Sequence, residues 1–290
     1  MKRIAFIGAG IMGKNMIRNF LKKGIHVDFY SRTKENALDI IDEGANWCDS
    51  IAECITNHDI IISMVGFPSD VQEIYLGDSG IILNAKEHAY LIDMTTTDPN
   101  LSIEIGKEAK KRNLHFLDAP VTGGDESAKN GTLTIMVGSE SVDFERCYPV
   151  FKCLGNIIIH EGPVGSGQKT KMANQIAVAA NIAGVCESLY FAQKSGLDVN
   201  KVLITISTGA ASSFQMDTLA PKILDEDFEP GFFAKHLVKD MDIVHSEAKN
   251  INIDLPILEE ILNTYRKILD EGYGDLGTQA LYKYYDKEID

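Results

Sequence analysis

The stretch FIGAGIMGKNM, residues 6 to 16, decides the fold. It joins an apolar run to a segment with helical spacing, and its glycines Gly8, Gly10 and Gly13 form the pattern GxGxxG. The pattern is common by itself, but here it follows a hydrophobic strand and opens a helix, which is the context of a dinucleotide-binding turn. Gly8 permits the tight turn, Gly10 lets a pyrophosphate approach the backbone, and Gly13 allows the helix to pack closely on the strand.

The residues between these glycines add backbone donors to the same predicted site. Ile11 and Met12 begin the helix, and the first N–H groups of a helix bind anions because they have no intrahelical acceptor. We therefore count Ile11 and Met12 among the cofactor-binding residues. A glycine turn with a purely structural role is the alternative.

Outward from this stretch, the first half of the chain alternates apolar runs with amphipathic segments. Helical spacing is found in MGKNMIRNFLKKG and LSIEIGKEAKKRN. Strands are predicted at RIAFIGAG, HVDFYSR, DIIISMV, AYLIDMTT, LHFLDAP and TLTIMVG. Apolar runs with little alternation are typical of strands covered on both faces, and strands that take turns with helices indicate a mainly parallel sheet.

The alternation of strand-like and helical segments ends at the glycine-rich stretch from Gly162 to Gly167. Residues 166 to 195 predict one long helix with apolar positions on more than one side, so we expect it to be buried among other helices. Helical patterns continue to the end of the chain. The fold class is therefore α/β: a Rossmann-type, mainly parallel sheet domain over residues 1–162, followed by an all-α domain over residues 163–290.

Composition excludes several classes of function. The chain has 290 residues and a formal charge of -14, which argues against a nucleic-acid or anionic-membrane partner. Its five cysteines form neither a CxxC pair nor a metal-ligand spacing, so we expect reduced, buried thiols and no metal site. No leader and no membrane span are expected from the pattern, and we predict a cytoplasmic protein.

The second strand ends at Ser31, Arg32 and Thr33. An acid at this point would accept hydrogen bonds from the 2′-hydroxyl of NAD and would repel a 2′-phosphate. A serine followed by an arginine suits a phosphate instead, because the planar guanidinium binds phosphate oxygens in pairs. Asp28 lies earlier in the strand and is a poorer ribose ligand. We predict NADP as the cofactor, with NAD as the alternative. Arg32 could also be a solvated loop residue with no role in cofactor binding.

The segment DAPVTGG, from Asp118 to Gly124, follows another strand. Gly123 and Gly124 can present successive backbone amides to a carboxylate, and Thr122 can add its hydroxyl. These three residues are the predicted substrate-binding turn. An ordinary loop is the alternative.

The segment GSGQKTKMANQ opens the long helix and carries the sharper signal. Lys171 and Asn174 are three residues apart on one helical face, and Gln175 is four from the lysine. Lys171 is predicted to protonate a carbonyl oxygen as hydride arrives, and Asn174 to hold that oxygen or to orient the lysine. An exposed lysine on a solvated face is the alternative. In HLVKDMD, the pair Lys239 and Asp240 is a weaker candidate for the same site.

Four motifs, FIGAGIMGKNM, DAPVTGG, GSGQKTKMANQ and HLVKDMD, resemble in their sequence and order those of the β-hydroxyacid dehydrogenase family. The resemblance covers nearly all of the chain. The resemblance implies a Rossmann-type domain, a helical domain, and assembly into dimers or tetramers. It makes Lys171 the catalytic lysine with Asn174 as its partner. We also count Gln175, four residues after the lysine, among the substrate-binding residues. The resemblance also implies four further cofactor contacts, at Met64, Val65, Thr96 and Lys239.

Two features of the sequence point to different members of that family. Many hydroxyisobutyrate enzymes have a second asparagine at the position of Gln175, and the glutamine of this chain is similar to tartronate semialdehyde reductases instead. The segment Ser31-Arg32-Thr33 is similar to the NADP-preferring glyoxylate and succinic semialdehyde reductases. We predict an NADP(H)-dependent reductase of a short semialdehyde or of a 2-oxoacid such as glyoxylate. An NAD-dependent 3-hydroxyisobutyrate dehydrogenase is one alternative, and a catalytically silent NADP-binding sensor or scaffold is another.

Overall fold

The computed structural model of the chain describes residues 3 to 286. Its strands are β1 Arg3–Ile7, β2 His26–Tyr30, β3 Asn46–Trp47, β4 Ile60–Ser63, β5 Tyr90–Asp93, β6 His115–Asp118, β7 Val121–Thr122, β8 Leu133–Gly138 and β9 Gly155–Gly162. Its helices are α1 Ile11–Lys22, α2 Leu38–Asp42, α3 Ile51–Ile55, α4 Pro68–Leu76, α5 Ile81–Asn84, α6 Pro99–Lys110, α7 Gly124–Asn130, α8 Ser141–Phe151, α9 Ser166–Lys194, α10 Val199–Ser207, α11 Phe214–Thr218, α12 Ala220–Leu224, α13 Ala234–Asn250, α14 Pro256–Asp270 and α15 Tyr282–Asp286. Short 3-10 segments lie at Glu35–Ala37, Tyr273–Asp275 and Thr278–Leu281.

All nine strands belong to one sheet, in the order β3-β2-β1-β4-β5-β6-β8-β7, with β9 beside β8. The pairs from β3 to β6 are parallel, while β8 runs antiparallel to β6 and β7. The predicted mainly parallel Rossmann-type sheet is therefore confirmed. The strand order reverses between β1 and β4, and the crevice outside the carboxyl ends of strands at such a point is where open α/β sheets bind ligands.

The sheet is covered on both faces, which explains why its strands are apolar with little alternation. One core contains Phe6, Phe29 and Ile62 and continues into α1 and α8. The other contains Ile7 and Ile61, with the buried residues of α4 and α6. Neighbouring side chains of a strand point to opposite faces, so both faces need apolar residues.

The helical region has a core of its own, assembled from α9, α13 and α14 around the fully buried Tyr265. The long helix contributes six buried residues to it, Met172, Ala179, Ile182, Val185, Cys186 and Leu189, and Ile176, Val178, Ala180 and Ala183 are partly buried against the same core. Phe191 of the same helix is 70% exposed. The helix is therefore buried over a broad face, while Phe191 lies at the surface.

The same helix is long and apolar enough to be a membrane span by length and composition alone, with a mean hydropathy of 1.2 in its best window. That is weak evidence, because core helices pass the same test, and 39% of the window is buried within the protein. The described chain divides into two compact units, the first ending at Lys171 and the second beginning at Met172. This division falls inside α9.

Candidate active site

The first βα turn has the backbone that its glycines require. Gly8 has φ +100°, and a Cβ there would lie 2.2 Å from the carbonyl oxygen of Met64. A Cβ on Gly13 would lie 2.1 Å from the carbonyl oxygen of Gly8. Gly10 differs, because a Cβ there would meet no atom within 4 Å. Two of the glycines are therefore needed for packing, whereas Gly10 leaves open space against the backbone.

That open space lies at the start of α1, where a dinucleotide phosphate fits. The first intrahelical bond runs from the N–H of Lys14 to the carbonyl oxygen of Gly10, at 2.9 Å. The N–H groups of Ile11, Met12 and Gly13 precede that bond and have no acceptor within the helix. The first turn of α1 carries no acidic residue. These amides and the positive end of the helix dipole suit a pyrophosphate.

The end of β2 carries the predicted contacts to the adenosine ribose. Ser31 is half-buried, whereas Arg32 and Thr33 are exposed. The guanidinium of Arg32 donates a 3.0 Å hydrogen bond to Asp70 in α4, and the Arg32 side chain is 76% exposed. Asp70 also accepts the N–H of Phe67 at 3.0 Å. Arg32 is therefore accessible to a phosphate, and its acidic neighbour is fixed by the helix that it caps.

Asp28 is occupied by other partners. It is 5% exposed and accepts hydrogen bonds from Arg3, from Asn46 at 2.7 Å, and lies 2.8 Å from the ring of His58. These partners hold the pKa of Asp28 below its usual range even though burial acts to raise it. The carboxylate therefore joins β2 to β1, to β3 and to the loop before β4, and its hydrogen-bonding capacity is used within the protein.

Met64 and Val65 follow β4, and both are half-buried. The N–H of Val65 donates to the hydroxyl of Thr95 at 3.0 Å. Thr95 and the half-buried Thr96 follow β5, the next strand of the sheet. The structure therefore brings the predicted cofactor contacts after β1, β4 and β5 to one edge of the sheet, joined by short bonds.

The substrate-binding turn lies beyond β6. Gly123 has φ +125° and Gly124 φ +71°, so both adopt backbone conformations that other residues rarely adopt. A Cβ on Gly123 would lie 2.6 Å from Ser127, while Gly124 has open space around it. Thr122 is half-buried at the end of β7. The turn thus has the glycine backbone that its motif requires, and Asp125 in the first turn of α7 places a negative charge nearby.

Lys171 lies in the second turn of α9 and is 7% exposed. The start of this helix is held by Asp118, the last residue of β6, whose carboxylate accepts the N–H of Gly165 at 2.6 Å and of Gln168 at 2.9 Å. Burial raises the pKa of Asp118 to about 6, and these amide bonds oppose that rise. The surface-lysine alternative does not fit, because lysine residues on a solvated face are not buried to this degree.

The predicted residues of the second unit form a chain of polar contacts. The amide of Asn174 donates to Gln175 at 2.7 Å, and Gln175 donates to Asp240 at 2.6 Å. The ammonium of Lys239 lies 2.8 Å from the other oxygen of Asp240, which is 2% exposed. The Lys239–Asp240 pair is therefore buried rather than the solvated pair that neighbouring Lys and Asp usually form on helices.

Sequence reasoning gave no role to three residues that organise these groups. Asp118 and Gln168 lie inside the quoted motifs, and Asp70 lies outside them. A weak signal existed for the first two, because an acid ending an apolar strand and a glutamine one turn before the lysine are unusual. No signal in the sequence pointed to Asp70.

The fold and this edge of the sheet define a class of protein, an oxidoreductase that uses a nicotinamide dinucleotide. A family model described as the NAD binding domain of 6-phosphogluconate dehydrogenase matches residues 3–162. A second, described as NAD-binding of NADP-dependent 3-hydroxyisobutyrate dehydrogenase, matches residues 165–285. The chain belongs to the 3-hydroxyisobutyrate dehydrogenase family of β-hydroxyacid dehydrogenases, which act on CH–OH groups.

Individual relatives agree with this assignment. The uncharacterized oxidoreductase YkwC of Bacillus subtilis is 50% identical, over 99% of each chain. The NAD-dependent L-serine dehydrogenase of Pseudomonas aeruginosa is 30% identical over 99% of this chain and 98% of its own. A solved structure of Mycobacterium tuberculosis 3-hydroxyisobutyrate dehydrogenase with L-serine is 26% identical, covers 98% of each chain and has a TM-score of 0.88.

Proposed function

We propose that this enzyme is an NADP(H)-dependent reductase that interconverts a short semialdehyde, or a 2-oxoacid such as glyoxylate, with the corresponding hydroxyacid. The observation that carries the proposal is Lys171. Lys171 is buried and follows the start of α9, where backbone N–H groups donate hydrogen bonds to Asp118. Asp118 ends the strand that leads into the Thr122–Gly124 turn. A lysine buried in this position, near the proposed substrate-binding turn, is suited to proton transfer.

Lys171 is the general acid of the reduction. A bound nicotinamide would supply the chemistry of hydride transfer, to the carbonyl carbon in the reduction and from the alcohol carbon in the oxidation. Lys171 donates a proton to the carbonyl oxygen, and in the oxidation it removes that proton from the hydroxyl. Asn174, three residues further along α9, makes the second contact to the same oxygen, and Gln175 fixes the Asn174 amide through their 2.7 Å hydrogen bond.

The substrate carboxylate is bound by the turn Thr122–Gly124. Gly123 and Gly124 both have positive φ, and successive N–H groups of such a glycine turn are suited to an anion. The carboxylate therefore fixes the substrate, and orientation of the carbonyl follows from that anchor.

We infer NADP as the preferred cofactor from the end of β2. Arg32 is accessible there, and Asp28 is occupied by other side chains. One relative at 30% identity is named as NAD-dependent, so the choice has a specific competitor. We propose that Lys239, fixed by Asp240, lies toward the nicotinamide end of the cofactor.

The experiment is an activity panel. Glyoxylate, succinic semialdehyde, tartronate semialdehyde and methylmalonate semialdehyde are each offered with NADPH and with NADH, and the reverse reaction is run with 3-hydroxyisobutyrate and L-serine. Reduction of one aldehyde acid with NADPH as the better cofactor is expected. Oxidation of 3-hydroxyisobutyrate with NAD as the better cofactor would select the alternative dehydrogenase. Tight NADPH binding with a flat absorbance trace across the panel would select the sensor.

We also propose that the enzyme is a cytoplasmic homo-oligomer. The resemblance to the family implies dimers or tetramers, and Phe191 on α9 and Ile204 on α10, which are 70% and 69% exposed, are the candidate interface residues. The test is the molar mass by light scattering. Twice or four times 32.0 kDa is expected, and a mass of 32.0 kDa at working concentration would contradict the proposal.

A further inference from the structure

The beginning of α9 is capped by a residue distant in the sequence. Helices usually begin with a local side chain that accepts one of the first N–H groups. Here the residues before the helix are Gly162 to Gly165, and the acceptor is Asp118 at the end of β6. One carboxylate oxygen accepts the N–H of Gly165 at 2.6 Å, and the other accepts the N–H of Gln168 at 2.9 Å.

Two glycines allow the carboxylate of Asp118 to fit there. A Cβ on Gly138 would lie 2.4 Å from one carboxylate oxygen, and a Cβ on Gly167 would lie 2.4 Å from the carbonyl oxygen of Met136 and 2.9 Å from the other carboxylate oxygen. Strand β6, strand β8 and the first turn of α9 therefore close around a single side chain. The Asp118 side chain is 0% exposed, so the position of this turn on the sheet is tightly defined.

Gln168 ties the same turn to the loop after β5. Its side-chain oxygen accepts the N–H of Thr97 at 3.0 Å, and its side-chain nitrogen donates to the carbonyl oxygen of Thr95 at 2.8 Å. The residue between them is Thr96, a predicted cofactor contact. Gln168 is 0% exposed, and both ends of its amide are used.

Lys171 follows Gln168 by three residues, which is a rise of about 4.5 Å along the helix. We propose that Asp118 and Gln168 are positioning residues for the reaction. Asp118 sets where α9 begins relative to the strand that leads to the Thr122–Gly124 turn, and Gln168 sets its distance from the Thr95–Thr97 loop. Together they fix the point from which the Lys171 ammonium reaches the carbonyl oxygen. This inference rests on the proposed role of Lys171 as general acid.

The expected size of the effect follows from geometry. When a catalytic group is displaced by about 1 Å from the atoms on which it acts, the rate can fall by roughly 100-fold. Replacement of Gln168 by Ala removes both amide contacts and leaves the helix sequence favourable, since alanine is the best helix former. We expect kcat to fall about 10- to 100-fold, while the Kd for NADPH stays within about threefold, because no phosphate contact is altered.

A double-mutant cycle tests whether Gln168 acts through Lys171. The rate of NADPH oxidation in a single turnover is measured for the wild type, Q168A, K171A and the double variant. If Gln168 positions the lysine, Q168A lowers the rate in the wild-type background and has little further effect once Lys171 is replaced.

The matched control is Q279A. Gln279 is 1% exposed and, like Gln168, makes two hydrogen bonds from its side chain to the backbone; its amide nitrogen donates to the carbonyl oxygens of Asp227 and Glu229, at 3.1 and 3.2 Å. The Q279A variant should have a melting temperature lowered about as much as that of Q168A, while its kcat stays within about twofold of the wild-type value. D118N is a second variant, expected to show the same coupling to K171A where it folds.

The possible outcomes separate the two proposals. Near wild-type turnover in K171A would refute the general acid itself. A large loss in K171A, with an equal further loss from Q168A in both backgrounds, would leave the general acid standing and overturn the positioning role. Weakened NADPH binding in Q168A with unchanged kcat would also overturn it, because the glutamine would then serve the cofactor loop alone.

Discussion

Replacement of Arg32 by Asp tests the cofactor assignment. Arg32 contacts Asp70 at 3.0 Å, but its side chain is 76% exposed, so that ion pair contributes only about 0.2–1 kcal/mol. A guanidinium bond to a phosphate contributes roughly 2 kcal/mol, and a carboxylate facing the phosphate adds repulsion of about 1 kcal/mol. The sum of about 3 kcal/mol predicts that R32D weakens NADPH binding by roughly 100-fold.

NADH lacks the 2′-phosphate, so its binding to R32D should change by less than about threefold. The assay is titration of the nicotinamide fluorescence, with kcat/KM for each cofactor as a second readout. R112D is the matched control, because Arg112 is exposed and follows α6 at the opposite edge of the sheet, while its net charge change is the same. Equal losses for NADPH and NADH in R32D would refute the phosphate contact.

Asp70 gives a finer test of the same reasoning. D70N keeps an acceptor for the N–H of Phe67 but removes the charge that holds Arg32. Because the ion pair is exposed, its loss should tighten NADPH binding by no more than about fivefold. A tenfold weakening would mean that Asp70 orients the arginine for the phosphate rather than competing with it.

Three further outcomes follow from the structure. G13A should lower the free energy of unfolding by about 1–3 kcal/mol, measured in urea, because its Cβ meets the carbonyl oxygen of Gly8 at 2.1 Å. G10A should leave unfolding unchanged yet weaken both cofactors by about tenfold or more, since its methyl group fills open space at the phosphate amides; unchanged binding would contradict that site. Asp118 has a pKa of about 6 instead of 3.8, so the native state binds its proton more tightly, and stability should fall as pH rises from 4 to 6 by up to roughly 3 kcal/mol. The measurement compares urea midpoints at pH 4.5 and pH 7, and the decrease between them should be smaller in D118N than in the wild type. A decrease remains in D118N because the pKa of Asp93 is also raised to about 6. An equal decrease in both proteins would contradict the raised pKa of Asp118.

The sheet was predictable where one strand's sequence was enough to define it. The six predicted strands correspond to β1, β2, β4, β5, β6 and β8. The sequence analysis missed β3, β7 and β9. The first two have two residues each, too short for a pattern, and they exist because a neighbouring strand supplies hydrogen-bond partners. β9 is an edge strand with Ile157 and Ile159 exposed, so its apolar run gave no sign of which face is buried.

The candidate site was predictable to the extent that its chemistry is local in sequence. Gly8, Gly13 and Gly123 are required by turns that their own motifs define. The contact of Asp118 with the start of α9 spans 47 residues, and that of Gln168 with Thr97 spans 71. Such contacts depend on how strands are ordered in the sheet, which the spacing of residues does not specify.

The proton-transfer role of Lys171 is tested most directly by the rate of hydride transfer in a single turnover, with NADPH and the best substrate of the panel. K171A should lower that rate by about 100- to 10,000-fold while NADPH binds as before. K169A is the control, because Lys169 is exposed on the same helix, two residues away, and its rate should match the wild type. A K171A rate within about fivefold of the wild type would contradict the account, since a general acid contributes far more than that.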